Sequence, residues 1–242
     1  MFAVHVVDRT NRDLYEEQIE QHFRIRHDIY IGERGWHDLA RADGREIDAF
    51  DTEDATYLLG IEPGGEVVAG SRLVPTLKPH LMSEIFPSLA PAGVLRAPDI
   101  FEWTRIFVVP ALRRAGRPCL AAGLIYCGIV EFCLMNKIRR LSVVCETYWT
   151  GRLMQLGWNP KPLGPPVSHN GESIIGLALD MTLSALETTR RRYRISGSVL
   201  HAQPRAAISS QEQGPMSSNF LTVCGLLRAN TCRPIRDFPA PQ

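Results

Sequence analysis

Four segments decide the fold: 101-FEWTRIFVV-109, 119-CLAAGLIYCGIVEFCLM-135, 141-LSVVCE-146 and 149-WTGRLMQL-156. The first and third are rich in β-branched and aromatic residues, as strands are. The apolar run between them predicts a helix over residues 117–137, and residues 149–156, closed by Gly157, predict another. Strand, helix, strand, helix is the order typical of an α/β domain.

The flanking sequence adds further elements of both kinds. Residues 4–7, 56–62, 67–74 and 173–183 have strand composition, and Pro63-Gly64-Gly65 supplies a hairpin turn. Residues 14–30 predict an amphipathic helix or helix pair, and residues 81–89 and 186–193 predict shorter helices. Between residues 31 and 50 glycine, arginine and aspartate dominate, which predicts a long ordered loop. Loops of this length inside a compact domain usually have a function.

The composition excludes several classes of protein. Lysine and arginine total 27 against 26 acidic residues, so the net charge gives no reason to expect nucleic acid as a partner. The six cysteines form no CxxC pair, and neither a structural metal nor a disulfide framework is expected. Residues 119–135 carry Glu131 and are shorter than the roughly 20 apolar residues of a membrane span. The N-terminal residues lack the pattern of a signal peptide, which predicts a cytosolic protein.

The length of 242 residues predicts one main domain, over residues 1–196. Residues 197–242 are rich in serine, glutamine, proline and glycine, which predicts a tail of uncertain order.

Arg26, Tyr30 and Trp36 form a first candidate site. The arginine and tyrosine are four residues apart, on one face of the predicted helix, and the tryptophan follows its end. Two aromatic rings beside a guanidinium can hold a flat or cationic ligand. The alternative is an amphipathic helix whose aromatic residues cover the core.

A second candidate is 46-EIDAFD-51, in which Asp48, Asp51 and Glu46 alternate with apolar residues. An extended chain would turn Glu46 and Asp48 to one side, where they could bind an ammonium group. A solvated acidic loop is the alternative, although Ile47 and Phe50 indicate an anchored segment.

A third candidate lies on the predicted strand 101–109. Alternation places Glu102 and Thr104 on one face and Trp103 and Arg105 on the other. A charged side chain on an apolar strand is costly unless it is paired or functional, and Arg72 is unusual for the same reason. For Arg72 and Arg105, a structural ion pair with a carboxylate and a catalytic role remain equal alternatives. The basic run Arg113-Arg114-Ala115-Gly116-Arg117 precedes the long helix, where a phosphate or an acidic carrier could bind.

These segments, taken in order with Phe86, resemble the acyl-homoserine lactone synthase (autoinducer synthase) family. The resemblance covers about the first two thirds of the chain and implies an N-acetyltransferase-like α/β fold, a three-layer sandwich with a twisted, splayed mixed sheet. It also implies synthesis of a quorum-sensing signal from S-adenosylmethionine and an acyl thioester of acyl carrier protein or coenzyme A. S-adenosylmethionine would be a substrate, and neither cofactor nor metal would be needed.

The resemblance also implies roles for particular residues. Glu102 would act as the base, and Arg72 or Arg105 would hold a carboxylate. The S-adenosylmethionine site would comprise Arg26, Tyr30, Trp36, Asp48, Asp51 and Phe86. Tyr30 stands where the family commonly has phenylalanine, so its hydroxyl needs a partner.

The acyl pocket is expected to include Trp103, Phe107, Val144 and Tyr148. The aromatic rings of this region, those of Trp103, Phe107, Tyr148 and Trp149, favour a short, branched or aryl chain. Two alternatives remain at this point: an enzyme of the same fold that acylates another amine, and a noncatalytic module that binds acyl thioesters. The acyl donor, the acyl chain and the oligomeric state are left open by the sequence.

Overall fold

The computed structural model describes residues 1–113 and 119–201. Within these ranges eight strands form one mixed sheet in the order β1-β2-β3-β4-β5-β8-β6, and β7 pairs with β8. The pair β4 and β5 is parallel, and every other named pair is antiparallel. The strands are β1 Ala3–Val7, β2 Thr56–Ile61, β3 Val67–Pro75, β4 Ile100–Val108, β5 Arg140–Glu146, β6 Lys161–Pro162, β7 Val167–His169 and β8 Glu172–Asp180. The strands predicted from composition are therefore confirmed.

Helices cover both faces of this sheet. They are α1 Glu16–Arg26, α2 Leu81–Glu84, α3 Leu120–Met135, α4 Trp149–Gln155 and α5 Leu183–Tyr193. A π-helix, His27–Glu33, continues α1 without a break. The predicted long loop begins inside this π-helix, contains one 3-10 turn at His37–Leu39 and has no other helix or strand before Phe50.

Two apolar clusters hold the layers together. The cluster on one face packs α3 and α5 against the sheet and includes Leu58, Ile125 and Leu177. The cluster on the other face includes Ile19 and Phe23 of α1. Helices on both faces of a mixed sheet make the three-layer α/β sandwich predicted from the sequence.

The approach of α3 to β1 explains a glycine in the middle of that helix. A Cβ atom at Gly128 would lie 2.8 Å from Cγ1 of Val4, closer than carbon atoms approach in proteins. Glycine lowers the stability of an isolated helix by roughly 1 kcal/mol relative to alanine. Here its lack of a side chain allows the helix to contact the strand.

The sheet opens between β4 and β5. Only Ile100–Arg140, Phe101–Leu141 and Glu102–Ser142 are paired, although both strands continue beyond these residues. From Trp103 and Val143 onward the strands diverge, which leaves a V-shaped opening. This opening is the splay that the family resemblance led us to expect.

The first residues of the predicted tail pack on the domain. The amide of Val4 donates to the carbonyl of Val199 at 2.9 Å, and the amide of His201 donates to the carbonyl of Val4 at 2.8 Å. The carboxylate of Glu131, on α3, accepts hydrogen bonds from Ser198 and from the amide of Val199. The rest of the tail, from residue 202, lies outside the described residues. In the described ranges no helix is long and apolar enough to span a membrane.

Candidate active site

A cavity of about 100 Å³ occupies the opening between β4 and β5. Five of the residues predicted for the site line it, namely Tyr30, Trp36, Trp103, Arg105 and Val144. The remaining lining residues are Arg34, Leu81, Thr104, Ile106, Val143, Cys145, Glu146, Trp149 and Leu153. One arm of the opening therefore contributes polar and charged groups, and the other is mainly apolar.

Tyr30 and Trp36 form one wall of this cavity. Their rings stack at 4.9 Å between centroids, and the hydroxyl of Tyr30 donates to the carbonyl of Ile106 at 2.8 Å. The π-helix positions the pair, because the chain turns at its end and the amide of Trp36 donates back to the carbonyl of Tyr30. Extra π-type turns are frequent at functional sites. The tyrosine hydroxyl therefore has the partner that it needs.

Two guanidinium groups lie beside the stacked rings. Arg34 is 5.7 Å from both ring centroids, and Arg105 is 5.5 Å from that of Tyr30 and 5.7 Å from that of Trp36. Trp36 is 38% exposed, whereas Tyr30 is buried. The wall therefore offers a ligand one accessible aromatic surface, with two guanidinium groups beside it.

Six charged residues whose side chains are at most 12% exposed, called the ion cluster below, lie behind this wall. They are Arg26, Arg72, Arg105, Glu46, Asp48 and Asp51, which makes three cations and three anions. Arg26 donates to Glu46 at 2.6 Å and to Asp51 at 2.7 and 2.8 Å. Arg72 donates to Asp48 at 2.6 and 2.9 Å. Arg105 joins Glu46, at 3.0 Å, to Asp48, at 2.8 Å.

The arginines keep the three carboxylates of the cluster ionised. Burial by itself would raise the pKa of Asp51, but Arg72 and Arg26 outweigh burial and hold that pKa well below its usual range. Arg72 lowers the pKa of Asp48 in the same way, and Arg105 lowers that of Glu46. Breaking one pair in such a cluster leaves a buried charge without a partner, which is strongly destabilising.

The ion cluster fixes the segment that carries Glu46, Asp48 and Asp51 against β3 and β4. Arg26 and Arg72 are fully buried, and their hydrogen bonds go to residues of the chain itself. Of the three arginines, only Arg105 also lines the cavity. Glu46 belonged to the second candidate site through its alternation with Asp48, although the family resemblance did not include it in the S-adenosylmethionine site.

One prediction about β4 was wrong. Alternation put Arg105 on the face opposite Thr104, but both residues contribute to the same network. Arg72 donates to the hydroxyl of Thr104 and to Asp48, and Arg105 donates to Asp48 as well. The reason is a bulge: Arg105 has a φ of 52°, and the register of β3 and β4 shifts between Gly70 and Arg72. A bulge of this kind redirects a side chain.

Glu102 lies at the apex of the opening. It belongs to the last paired position of β4 and β5, and it is fully buried. Its two oxygens accept hydrogen bonds from the amides of Leu81 and Met82, each at 2.7 Å. Burial raises its pKa to about 7, although the two amides and Arg72 act in the opposite direction. A carboxyl group with this pKa can take up a proton near neutral pH.

Three predicted residues lie away from the cavity. The ring of Phe86 contacts His169 of β7 edge to face, at 5.0 Å. Phe107 is buried in the cluster on the α1 face, against His22. Tyr148 is exposed and stacks on Trp149. None of the three lines the 100 Å³ cavity, although Phe107 lines the second cavity described below.

The sequence reasoning missed Arg34 and Glu146. Their ion pair, at 2.9 Å, joins the end of the π-helix segment to the end of β5, and both residues line the cavity. The position of Arg34 between Tyr30 and Trp36 was the available signal. Cys145 of β5 also lines the cavity. Burial raises the pKa of its thiol to about 12, which favours the unreactive form.

A second cavity, of about 330 Å³, shares Arg34, Ile106 and Trp149 with the first. Its lining includes two further arginines, Arg113 and Arg152, and it reaches Cys119 at the start of α3. Arg113 belongs to the predicted basic run and pairs with Glu33, whereas Arg114 and Arg117 of that run lie outside the described residues. Within the described ranges no group of three or more histidine, cysteine or acidic residues could hold a metal ion.

Comparison with known proteins gives matches over most of the chain. The autoinducer synthase family model matches residues 10–188. The isovaleryl-homoserine lactone synthase of Bradyrhizobium diazoefficiens (strain USDA 110) is 41% identical over 203 residues, which cover 84% of this chain and 90% of that protein.

Solved structures agree in the same way. The coenzyme A-dependent acyl-homoserine lactone synthase MesI is 50% identical with a TM-score of 0.75, over 81% of this chain and 98% of that one. The related BjaI, solved with S-adenosylmethionine and isopentyl-CoA, is 39% identical with a TM-score of 0.79, over 85% and 95%. An acyl-CoA N-acyltransferase from Pseudomonas aeruginosa, 12% identical with a TM-score of 0.51 over 74% and 99%, shares the fold. The chain belongs to the autoinducer synthase family.

Proposed function

We propose that this chain synthesises an N-acyl-homoserine lactone from S-adenosylmethionine and an acyl-coenzyme A, with release of methylthioadenosine. The observation that carries the proposal is the arrangement at the opening between β4 and β5. A buried carboxyl with a pKa of about 7 lies at its apex, beside a cavity that has one mainly apolar arm and an aromatic wall. Both substrates are cytosolic metabolites, so the proposed reaction takes place in the cytosol.

S-adenosylmethionine is assigned to the aromatic wall and Arg105. Its sulfonium is a cation, and the accessible face of Trp36 suits a cation through the quadrupole of the indole ring. Its carboxylate requires a cationic partner, and Arg105 is the member of the ion cluster that lines the cavity. Arg26, Arg72, Asp48 and Asp51 act indirectly, because they fix Arg105 and the loop behind it.

Glu102 is assigned the role of general base. The substrate amine must lose a proton before it attacks the thioester carbonyl, and Glu102 takes that proton directly or through one water molecule. The two amides that donate to Glu102 leave one lone pair on each oxygen for this purpose. The amine nitrogen then bonds to the carbonyl carbon, the carbon–sulfur bond breaks and the thiolate of coenzyme A leaves.

The divergence of the strands supplies the rest of the chemistry. Beyond Glu102 the ladder between β4 and β5 ends, so main-chain amides of β4 are available to stabilise the oxyanion of the tetrahedral intermediate. In the second step the carboxylate oxygen of the acylated substrate attacks its own γ-carbon. The γ-carbon–sulfur bond breaks, methylthioadenosine leaves and the lactone ring closes.

The choice of coenzyme A as donor rests on the 330 Å³ cavity and on the relatives. Its lining combines Arg34, Arg113 and Arg152 with the start of α3, where phosphate groups would find cations. The MesI and BjaI structures are titled as coenzyme A-dependent synthases. The alternative donor, an acyl carrier protein, would present its phosphopantetheine to the same opening.

A short or branched acyl chain fits the smaller cavity. About 100 Å³ holds only a few carbon atoms, and Leu153 and Trp149 close its apolar side. The relative from Bradyrhizobium is named as an isovaleryl-homoserine lactone synthase. A branched chain of about five carbons is therefore the acyl group we assign.

The test is mass spectrometry of purified protein incubated with S-adenosylmethionine and a panel of acyl-coenzyme A and acyl carrier protein thioesters. We expect an acyl-homoserine lactone and methylthioadenosine, with the highest rate for short branched coenzyme A thioesters. Glu102→Gln should reduce the rate by a factor of about 100 or more. Glu172→Gln, which changes an exposed glutamate on β8, is the matched control. No consumption of S-adenosylmethionine by folded protein across the whole panel would refute the proposal.

A further inference from the structure

The connection between β3 and β4, residues 76–99, contains a turn at the start of α2, and three polar groups in or near this turn are not required by the reaction itself. His80 is fully buried at the start of α2, Ser83 lies in its first turn, and Thr76 is buried just before them. The same turn supplies the amides of Leu81 and Met82 that donate to Glu102. Whatever fixes this turn therefore also fixes the carboxylate.

His80 is held by hydrogen bonds at both its ring and its main chain. Nδ1 lies 2.8 Å from the carbonyl of Lys78, and since a carbonyl can only accept, Nδ1 carries the proton. The main-chain amide of His80 donates to the hydroxyl of Ser83 at 3.1 Å. The carbonyl of His80 accepts from the amide of Glu84 at 3.0 Å. The Ser83 hydroxyl has one proton to donate, and it lies 3.0 Å from the carbonyl of His80 and 2.8 Å from a carboxylate oxygen of Glu84. These bonds leave the turn little freedom.

The charge state of His80 suits a structural role. Burial lowers its pKa, and Arg96 acts in the same direction, while the carbonyl of Lys78 and Glu84 act in the other. The ring is therefore neutral at neutral pH. Nε2 is buried and has no hydrogen-bond partner among the described residues. A neutral ring with one donor used is the form that the Lys78 contact requires.

We propose that His80 and Ser83 are positioning residues for Glu102. They fix the His80–Met82 turn so that its two amides reach both carboxylate oxygens. The inference rests on the proposed function, because it assigns Glu102 the role of base. Leu81 also lines the acyl cavity, so the same turn links the position of the base to the position of the acyl group.

Loss of this turn has a definite consequence for the base. Hydrogen bonds from the two amides favour the carboxylate form, and Arg72 favours it too, whereas burial and the nearby Asp48 favour the protonated form. When the amides move away, the balance moves toward the protonated form. The base then remains protonated to a higher pH, and less enzyme is active at neutral pH.

The experiment compares Ser83→Ala, Ser83→Thr, His80→Ala and His80→Asn with the wild type. Methylthioadenosine formation is followed by chromatography from pH 6 to pH 9, because that product is unaffected by opening of the lactone ring. In the two alanine variants the rising limb of kcat/KM should move up by about one pH unit, with a roughly fivefold loss at pH 7 that is recovered at higher pH. Ser83→Thr keeps the hydroxyl and His80→Asn keeps a donor, so both should restore the wild-type profile.

A second measurement separates this inference from the proposed function. Carbon-13 NMR of carboxyl-labelled protein without substrates, with Glu102→Gln used to assign the signal, gives the pKa of Glu102 directly. Ser83→Ala should raise that pKa, whether or not the enzyme makes a lactone. An unchanged Glu102 pKa in folded Ser83→Ala and His80→Ala proteins would overturn the inference. If the pKa of Glu102 rises in these variants but the wild-type protein forms no lactone, the inference on the turn is sustained and the proposed function is refuted.

Discussion

The ion cluster and the aromatic wall in front of it use their polar groups differently. Both lie at the opening between β4 and β5. The ion cluster is buried and charge-balanced, and its arginines bind carboxylates of the chain itself. The wall formed by Tyr30, Trp36 and Arg34 is partly exposed and lines the cavity directly. The difference teaches that the most unusual charges in the sequence build the site, whereas the groups at its surface are the ones that we propose to contact the substrates.

The largest effect is expected from Asp51→Asn, which breaks the bidentate pair with Arg26 inside the ion cluster. The buried guanidinium groups of Arg26 and Arg72 would both lose a carboxylate charge that they contact, which should lower the free energy of unfolding by about 3–5 kcal/mol. Urea unfolding followed by circular dichroism measures this loss. Asp43→Asn removes a surface carboxylate that also pairs with two arginines, and should leave the midpoint close to that of the wild type. Equal losses of stability in the two variants would contradict the structural role assigned to the ion cluster.

Trp36→Ala tests the aromatic wall of the cavity. Removing the accessible ring should raise the KM for S-adenosylmethionine roughly thirtyfold, which corresponds to about 2 kcal/mol, with a small change in stability. Steady-state kinetics at saturating acyl donor give this value. Leu14→Ala removes an exposed apolar side chain far along the sequence and should have the KM of the wild type. A large loss of stability with an unchanged KM would mean that Trp36 belongs to the supporting structure.

His22→Phe tests the packing behind the ion cluster. His22 is fully buried against Tyr57 and Phe107, and burial, followed by the charge of Arg26, lowers its pKa well below 6.5. The unfolded state then binds a proton below pH 6.5 that the folded state does not, so stability falls as the pH falls. Between pH 7.5 and pH 5.5 this histidine should account for about 1.4 kcal/mol. Over this change in pH, His22→Phe should lose less stability than the wild type by that amount, as measured by urea unfolding at the two pH values. Equal losses in the two proteins would contradict the prediction.

The smallest effect is expected from the pair of Arg34 and Glu146. Their side chains are 36% and 20% exposed, so water screens the attraction. A double-mutant cycle of Arg34→Ala and Glu146→Ala should give a coupling energy below about 1 kcal/mol in the free energy of unfolding. A coupling energy as large as the loss of stability in Asp51→Asn would show that the aromatic wall and the ion cluster have the same energetic role.

Local signals were sufficient for most of the secondary structure. Residues 56–62 and 67–74 formed the expected hairpin because alternation and a Pro-Gly-Gly turn are properties of neighbouring residues. The apolar run after residue 117 became α3 for a similar reason. The ends of elements were less well predicted, since α3 begins at Leu120 and the first helix passes into a π-helix that the spacing did not indicate.

The site was predicted unevenly. Residues in the family pattern were found, and the structure brings Arg26, Arg72, Arg105, Asp48 and Asp51 together in one cluster. The division into supporting and cavity-lining residues was not visible, because burial depends on segments far apart in the chain. Arg34 and Glu146 are 112 positions apart and were missed for that reason.

The sequence by itself determined the α/β class, the order of the elements and the family, because these depend on periodicity, composition and the spacing of a few polar residues. Tertiary structure alone decided which charges are neutralised, where Glu102 lies and which residues line the cavity. The physical reason is that pKa values and cavities depend on contacts between distant segments. The bulge at Arg105 shows this most clearly, since one residue with a φ of 52° turns a side chain from the predicted face to the ion cluster.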